Sequence, residues 1–463
     1  MQDDASPSPS PPRQGGKGGA RRRLLSFLPA AAALAVFLLT AGDSVRRAAA
    51  DDFADYDMYW FAAAASESPP GTDVYEAAGE IATNRMRQRY MGVLDPSSPH
   101  GLAPEYYVAN SSTPFLFAAL SRLSLHDLRA DFVLYQAVST LCFLYALLSV
   151  LRWWRVGPVL SLSVLVAATT LFSPYLSDYG NASLTRILLG FLALSVPLLA
   201  RGTRGASLGG GALLAVASLL KPIVLLAPPF LFLWRIRRRE FGRVAREAAG
   251  FGAAAAAGAL FAAAHFRSPG IWSSWAGRLA ALPRSALPVT SGNFSLTDLL
   301  IWTTGRDLSS VLPVATGAIL AGAFLLVTVR AGGSAGEGAG EDPDTERRRC
   351  SLLLSLGCVA FLVASPRAWT HYYLLALPLL VALPCGRSAG GRGDRARAGL
   401  ALLSAAMCSV VTVTLHVTAL MVNEIIVVLG IVTWCGALLA YATGLWALAA
   451  GAFAAARGGE GAG

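Results

Sequence analysis

The sequence predicts an all-α integral membrane protein, a bundle of about twelve transmembrane helices with an external first loop carrying interfacial helices. Three observations predict it. Of 463 residues, 54% are hydrophobic and only 14% are charged, with a mean hydropathy of +0.52. A soluble chain carries roughly 25% charged residues, so the bilayer is the main solvent here. Apolar runs recur along almost the whole length. The net charge of +10 is nearly all arginine, since Lys17 and Lys221 are the only lysines, and the arginines gather in short loops beside those runs. Such placement reports topology and anionic lipid and gives no support to nucleic-acid binding.

In chain order, residues 1–23 are rich in Ser, Pro, Gly and Arg and predict a disordered cytosolic tail ending in Arg21-Arg22-Arg23. The apolar run 24–41 predicts an uncleaved signal anchor rather than a cleaved signal peptide, because further spans follow. The arginines before it also suit a twin-arginine signal, but a positive-inside anchor accounts for them alone. The loop 42–130 holds Asp55, Asp57, the aromatic group Tyr56, Tyr59, Trp60 and Phe61, and the basic run Arg85, Arg87 and Arg89. Its Pro114-Phe115-Leu116-Phe117 segment is too short to span and is expected to lie in the interface or re-enter.

Further runs cover 131–151, 157–174, 181–200, 207–220, 222–234, 245–265, 309–329, 350–365, 371–385, 399–421 and 425–449. With a cytosolic N-terminus, every dense arginine cluster lands on one side, provided that 207–234 is two short legs turning at Lys221-Pro222. The N- and C-termini are then cytosolic. The loops 42–130, 174–180, 266–308 and 365–370, with the turns at Lys221 and at Asn423-Glu424, face outside. Candidate polar groups therefore collect on one face of the bundle. The six cysteines sit in or beside spans with no paired spacing, so neither a disulfide framework nor a zinc site is indicated.

Asp55 and Asp57 bracket Tyr56 just outside the first span. A carboxylate at the mouth of a helix bundle suits a general base that takes a proton from a sugar hydroxyl; solvated loop acids are the plainer reading. Their D-x-D spacing would also suit a metal holding a nucleotide sugar, but such donors are cytosolic and this loop is external, so no metal is expected. Asp342-Pro343-Asp344 repeats the spacing in a Gly/Glu linker and reads as filler. Lys221 interrupts an apolar run, where a cation calls for an anion or a cavity; a lysine snorkelling to the interface is the alternative.

The stretch Ser365-Pro366-Arg367-Ala368-Trp369-Thr370-His371-Tyr372-Tyr373 joins a guanidinium, an imidazole and interfacial aromatics. Arg367 suits a phosphate oxygen and His371 suits a leaving phosphate or a proton shuttle, against the alternative of an aromatic belt with one snorkelling arginine. Of the other histidines, His416 reads as packed in mid-helix and His100, His126 and His265 read as loop residues. Asn181 reads as a helix N-cap that could also touch a sugar. Asn110, Asn181 and Asn293 each sit in an N-x-Ser sequon.

Taken in order, these segments resemble the GT-C glycosyltransferases, specifically the family 87 polyprenol-phosphate-mannose-dependent mannosyltransferases. The matching stretches are Asp55-Tyr56-Asp57-Met58-Tyr59-Trp60-Phe61-Ala62-Ala63, then Gly71-Thr72-Asp73-Val74-Tyr75, then Tyr106-Tyr107 through Pro114-Phe115. Lys221-Pro222 matches a Lys-Pro turn, and Ser365-Pro366, Trp369 and His371 match an S-P-x-x-W-x-H-H signature, with Tyr372 replacing its second histidine. Gly180-Asn181 stands where the family has Gly-Gln. The resemblance covers about 24–385, which it marks as a catalytic membrane module, with 386–463 as a C-terminal transmembrane pair and short tail.

It implies an inverting transferase that moves a sugar, mannose in the family, from a polyprenyl-phosphate donor to a lipid or glycan acceptor at the outer face of the cell membrane. It implies Asp55 as the base with His371 as its catalytic partner, and Asp57, Tyr59, Lys221, Arg367, Trp369 and Asn181 as substrate-binding residues. No cofactor is implied beyond the donor lipid itself. A lipid-linked glycan transporter or flippase is the competing class. It predicts polar residues along a path through the bundle, and internal repeats, of which none is evident.

Overall fold

The computed structural model describes residues 17–52, 56, 59, 73–91, 94–102, 112–281, 293–306, 308–331, 343–385, 393–417 and 423–450. Among these it is all helical, with 17 α-helices, and its single β-bridge joins Asn293 to Trp369. Helix α1 (Lys17–Ala49) begins inside the predicted tail and continues beyond position 41. Its last turns stay helical because their charges are paired. Arg46 bonds Asp43 at 2.5 Å, and Arg47 donates to the carbonyls of Tyr179 and Gly180 at 3.0 and 2.8 Å.

The first external loop carries α2 (Ala77–Met91) and α3 (Pro114–Leu123). Thr113 starts α3 by accepting the Leu116 N–H, with Pro114 at the first helical position, where a missing N–H costs nothing. At 10 residues α3 is too short to cross the hydrocarbon core. The Thr113 hydroxyl also donates to the Leu219 carbonyl, which fastens this loop to the chain just before Lys221.

Helix α4 (Leu128–Trp153) is capped by Asp127, whose carboxylate accepts the N–H groups of Arg129 and Ala130. Helices α5 (Pro158–Thr170) and α6 (Ser173–Gly180) follow, bent 51° at their junction. The segment 174–180, predicted as a loop, is thus a helix. Pro174 sits in its first turn, and Tyr175 and Tyr179, one turn apart, stack at 6.4 Å. Helix α7 (Thr185–Arg201) ends at Gly202, whose φ of 66° is the left-handed conformation of a helix C-terminus.

Helix α8 (Arg204–Leu220) stops at Lys221, which is extended with φ −155° because Pro222 follows it. A 3-10 turn Pro222–Val224 leads to α9 (Ala227–Arg237), so 207–234 is indeed two legs. Helix α10 (Phe241–His265) returns against α8 at backbone contact. A Cβ on Gly211 would collide with the Glu247 carbonyl, and one on Gly250 with that of Leu208, the close approach that small residues permit between membrane helices.

The remaining helices are α11 (Ile271–Ala281), α12 (Leu296–Thr304), α13 (Leu312–Ala331), α14 (Pro343–Ala364), α15 (Leu377–Cys385), α16 (Asp394–Val417) and α17 (Asn423–Ala449). Asp344, predicted as linker, lies in the first turn of α14, where an acid favours the helix dipole, and pairs with Arg347 at 2.7 Å. A 3-10 helix Thr370–Ala376 feeds α15. Most of α14 is buried, so it runs through the middle of the bundle. A second apolar cluster caps one end, with Tyr56, Tyr59, Val74, Tyr75, Phe117 and Phe132 among its members.

Among the described residues, five helices are long and apolar enough to cross a membrane: α1, α4, α10, α13 and α17. Counting the bent α5–α6 pair as one span gives six. The chain is a multi-pass membrane protein. Each of the other predicted runs also forms a helix, but these are shorter, as in α7, α8, α9 and α15, or open on charged turns, as in α14 and α16.

Candidate functional site

One end of the bundle is organised by a buried ion pair. Arg186, in the first turn of α7, and Asp178, in α6, are both fully buried and meet at 2.7 Å. The guanidinium reaches two residues on α4, Gln136 Oε1 at 2.6 Å and Thr140 Oγ1 at 3.1 Å, and its carbon lies 5.3 Å from the Tyr179 ring centroid. Asp178 also accepts the Thr185 N–H at 3.0 Å. Burying a charge pair is costly unless its remaining hydrogen-bonding groups are satisfied, and here they are. Helix α1 joins the same network through Arg47 and through Asp43, which accepts the Tyr179 hydroxyl at 2.6 Å.

Two sequence-predicted residues meet beside this network. The Lys221 ammonium lies 4.5 Å from the centroid of the Tyr372 ring, and Tyr372 packs edge-on against His371 at 4.5 Å. His371 is 5% exposed, and the Lys221 charge acts on both His371 and Asp178. Helix α6 packs along the Thr370–Ala376 turn, which brings Asp178, Lys221 and His371 into one neighbourhood. A cation, an imidazole and a shielding aromatic gathered at one end of the bundle suit an anionic head group.

The segment 293–298 crosses the 365–373 stretch. Ala368 donates its N–H to Asn293 Oδ1 at 2.8 Å, Phe294 donates its N–H to the Ala368 carbonyl at 2.8 Å, and the Tyr373 hydroxyl donates to the Phe294 carbonyl at 2.9 Å. Asn293 Nδ2 donates to Asp298, whose backbone N–H bonds Ser295 Oγ at 3.1 Å. Burial pushes the Asp298 carboxyl up to about 6, against the opposing pull of the Ser295 hydrogen bond and the Arg367 charge. Trp369 is half-buried on the Asn293 bridge.

The opposite end carries the second buried charge cluster. Arg235 pairs with Glu247 and lies 3.5 Å from Glu346; Arg243 is 3.2 Å from Glu346, and Arg349 is 2.6 Å from it. Arg235 and Arg243 both donate to the Leu199 carbonyl. Leu199 and Arg186 belong to the same helix, 13 residues or roughly 20 Å apart. The groups predicted outside and the arginines predicted inside therefore separate to opposite ends. The interior between them is apolar, including Phe143, Leu147, Leu188, Leu189 and Leu192.

Asp55 and Asp57 lie outside the described residues, as do Tyr106, Tyr107 and Asn110. Tyr56, which the two acids flank, is 4% exposed and packs on Tyr135 at 4.7 Å and Phe132 at 5.8 Å. Tyr135 neighbours Gln136, the Arg186 partner. Tyr59 is 3% exposed in the same apolar cap. Asn181 does not cap α7, whose N-cap is Leu184; it is the exposed C-cap of α6, within 3.5 Å of Ser177 Oγ. Asn293 is fully buried with both ends of its amide engaged, so its sequon is not an open modification site in the folded chain. His265 closes α10 rather than lying in a loop.

Sequence reasoning did not assign Gln136, Arg186 or Asp298. Arg186 carried the usable signal, a charge inside a predicted span. Among the described residues, no three His, Cys, Asp or Glu side chains gather as a metal site. No family model matches the chain, and no curated protein and no solved structure matches it either.

Proposed function

We propose that this protein is a membrane glycosyltransferase that uses a polyprenyl-phosphate sugar, of the GT-C family 87 kind, with mannose as the expected sugar. The observation that carries the reading is the meeting of Lys221, Tyr372 and His371 beside the Asp178–Arg186 network. In this reading the short helices complete a bundle of about twelve membrane legs, and the polar end faces outside, opposite the arginine-rich end. Tyr56 is buried next to Tyr135 at that polar end, which supports a role there for Asp55 and Asp57, its covalent neighbours.

Asp55 takes the proton of an acceptor hydroxyl as its oxygen bonds to the anomeric carbon. The bond from that carbon to the donor phosphate breaks on the opposite face, so the configuration inverts. Lys221, Arg367 and His371 stabilise the charge that grows on the departing lipid phosphate, a contribution that low dielectric enlarges. Asp57, Tyr59, Trp369 and Asn181 border the substrate. The lipid or glycan acceptor arrives from the same compartment.

A transporter would need polar groups along its path. The apolar interior between the two charged ends favours transfer at one face. The test is release of labelled mannose from polyprenyl-phosphate mannose to membrane acceptors. His371→Ala should reduce kcat by about 100-fold or more while the protein still binds the donor. Full activity in that variant would remove His371 from the chemistry.

A further inference from the structure

We propose that the segment from Asn293 to Asp298 is a positioning clamp for the Arg367–His371 edge, with Asn293 fixing the backbone of that edge and Asp298 holding Asn293 in place. The proposal rests on the donor reading above. It assigns work to an external segment for which sequence offered only a glycosylation sequon.

Asn293 is the centre of the clamp. It is fully buried, and its side-chain oxygen accepts the N–H of Ala368, between Arg367 and Trp369. Its neighbour Phe294 adds the reciprocal backbone bond to Ala368, and the Tyr373 hydroxyl closes on the Phe294 carbonyl. The Ser295 hydroxyl lies 2.8 Å from the Pro366 carbonyl and 3.1 Å from Asp298 Oδ2, donating to one at a time. Contacts on Pro366, Ala368 and Tyr373 thus hold both flanks of the edge. Positioning of this kind fixes phosphate-binding groups before the ligand arrives.

Asp298 anchors Asn293. It is 5% exposed and accepts from the Asn293 amide and, at 3.1 Å, from the Ser295 hydroxyl. Helix α17 backs the segment, with Gly430 against Phe294 and Leu299.

Burial raises the Asp298 carboxyl above the ordinary 3.8, to about 6, so the fold favours its protonated form. The associated stability is complete below about 4 and is lost as pH rises through about 6.

The test uses the full chain in lipid nanodiscs. Binding of polyprenyl-phosphate mannose is measured for wild type and Asn293→Ala. The variant should bind several-fold more weakly than wild type. Hydrogen exchange of residues 366–373 provides a readout independent of the donor, in which Asn293→Ala should lose protection at Ala368.

Unchanged exchange at Ala368 in Asn293→Ala would overturn the clamp. A wild-type protein that binds no polyprenyl-phosphate sugar would instead refute the donor reading, with exchange still deciding the clamp.

Discussion

At the scale of single residues, the pair Asp178–Arg186 shows how a membrane interior makes a charge informative. Each would be prohibitive alone at 0% exposure, and together they are held by Gln136, Thr140 and the Thr185 N–H. Arg186→Met should therefore cost about 3–5 kcal/mol, because it strands Asp178. Adding Asp178→Asn to that variant should recover much of the loss, as read by thermal unfolding in detergent. Neither residue was assigned from the sequence, although Arg186 offered a signal as a charge in an apolar run. The pair forms across the α6–α7 turn, and Arg186 makes two further contacts to α4, none of which a local pattern encodes. Lys221 was legible because it is so rare in the chain; its partner ring, Tyr372, lies 151 positions later and was not.

At the scale of elements, apolar periodicity located helices well because bilayer spans leave long uninterrupted runs. Each predicted run corresponds to a helix. The errors lie at ends, where charge and capping decide. Helix α14 starts at Pro343 because proline and two first-turn acids, Asp344 and Glu346, suit an N-terminus, although the apolar run begins later. Helix α6 was missed because eight residues are too few to show a period. The α8–α10 pairing was likewise invisible, since a glycine in a run says nothing of which backbone approaches it. Gly211→Leu should force those helices apart, lowering stability by about 1–3 kcal/mol. The same change at Gly252, where a Cβ meets nothing within 4 Å, should be tolerated far better.

At the scale of the whole molecule, two charged clusters roughly 20 Å apart on one helix give the bundle a polarity that the arginine loops alone had suggested. That polarity makes a direct prediction. With the six native cysteines replaced, Asn181→Cys and Thr203→Cys place exposed thiols at opposite ends of α7. A membrane-impermeant maleimide added to intact cells should label the first, and the second only after permeabilisation. Labelling of both from one side would remove the basis for an outward-facing site.

The proposed activity depends on the donor. Sugar transfer from radiolabelled polyprenyl-phosphate mannose, by wild type and Asp55→Asn purified side by side in lipid, tests that activity most directly. Inverting transfer by wild type, reduced by at least about 100-fold in the variant, is the predicted result. Equal transfer by both would contradict Asp55 as the base, and no transfer from any polyprenyl-phosphate sugar across a broad acceptor panel would contradict the reaction class.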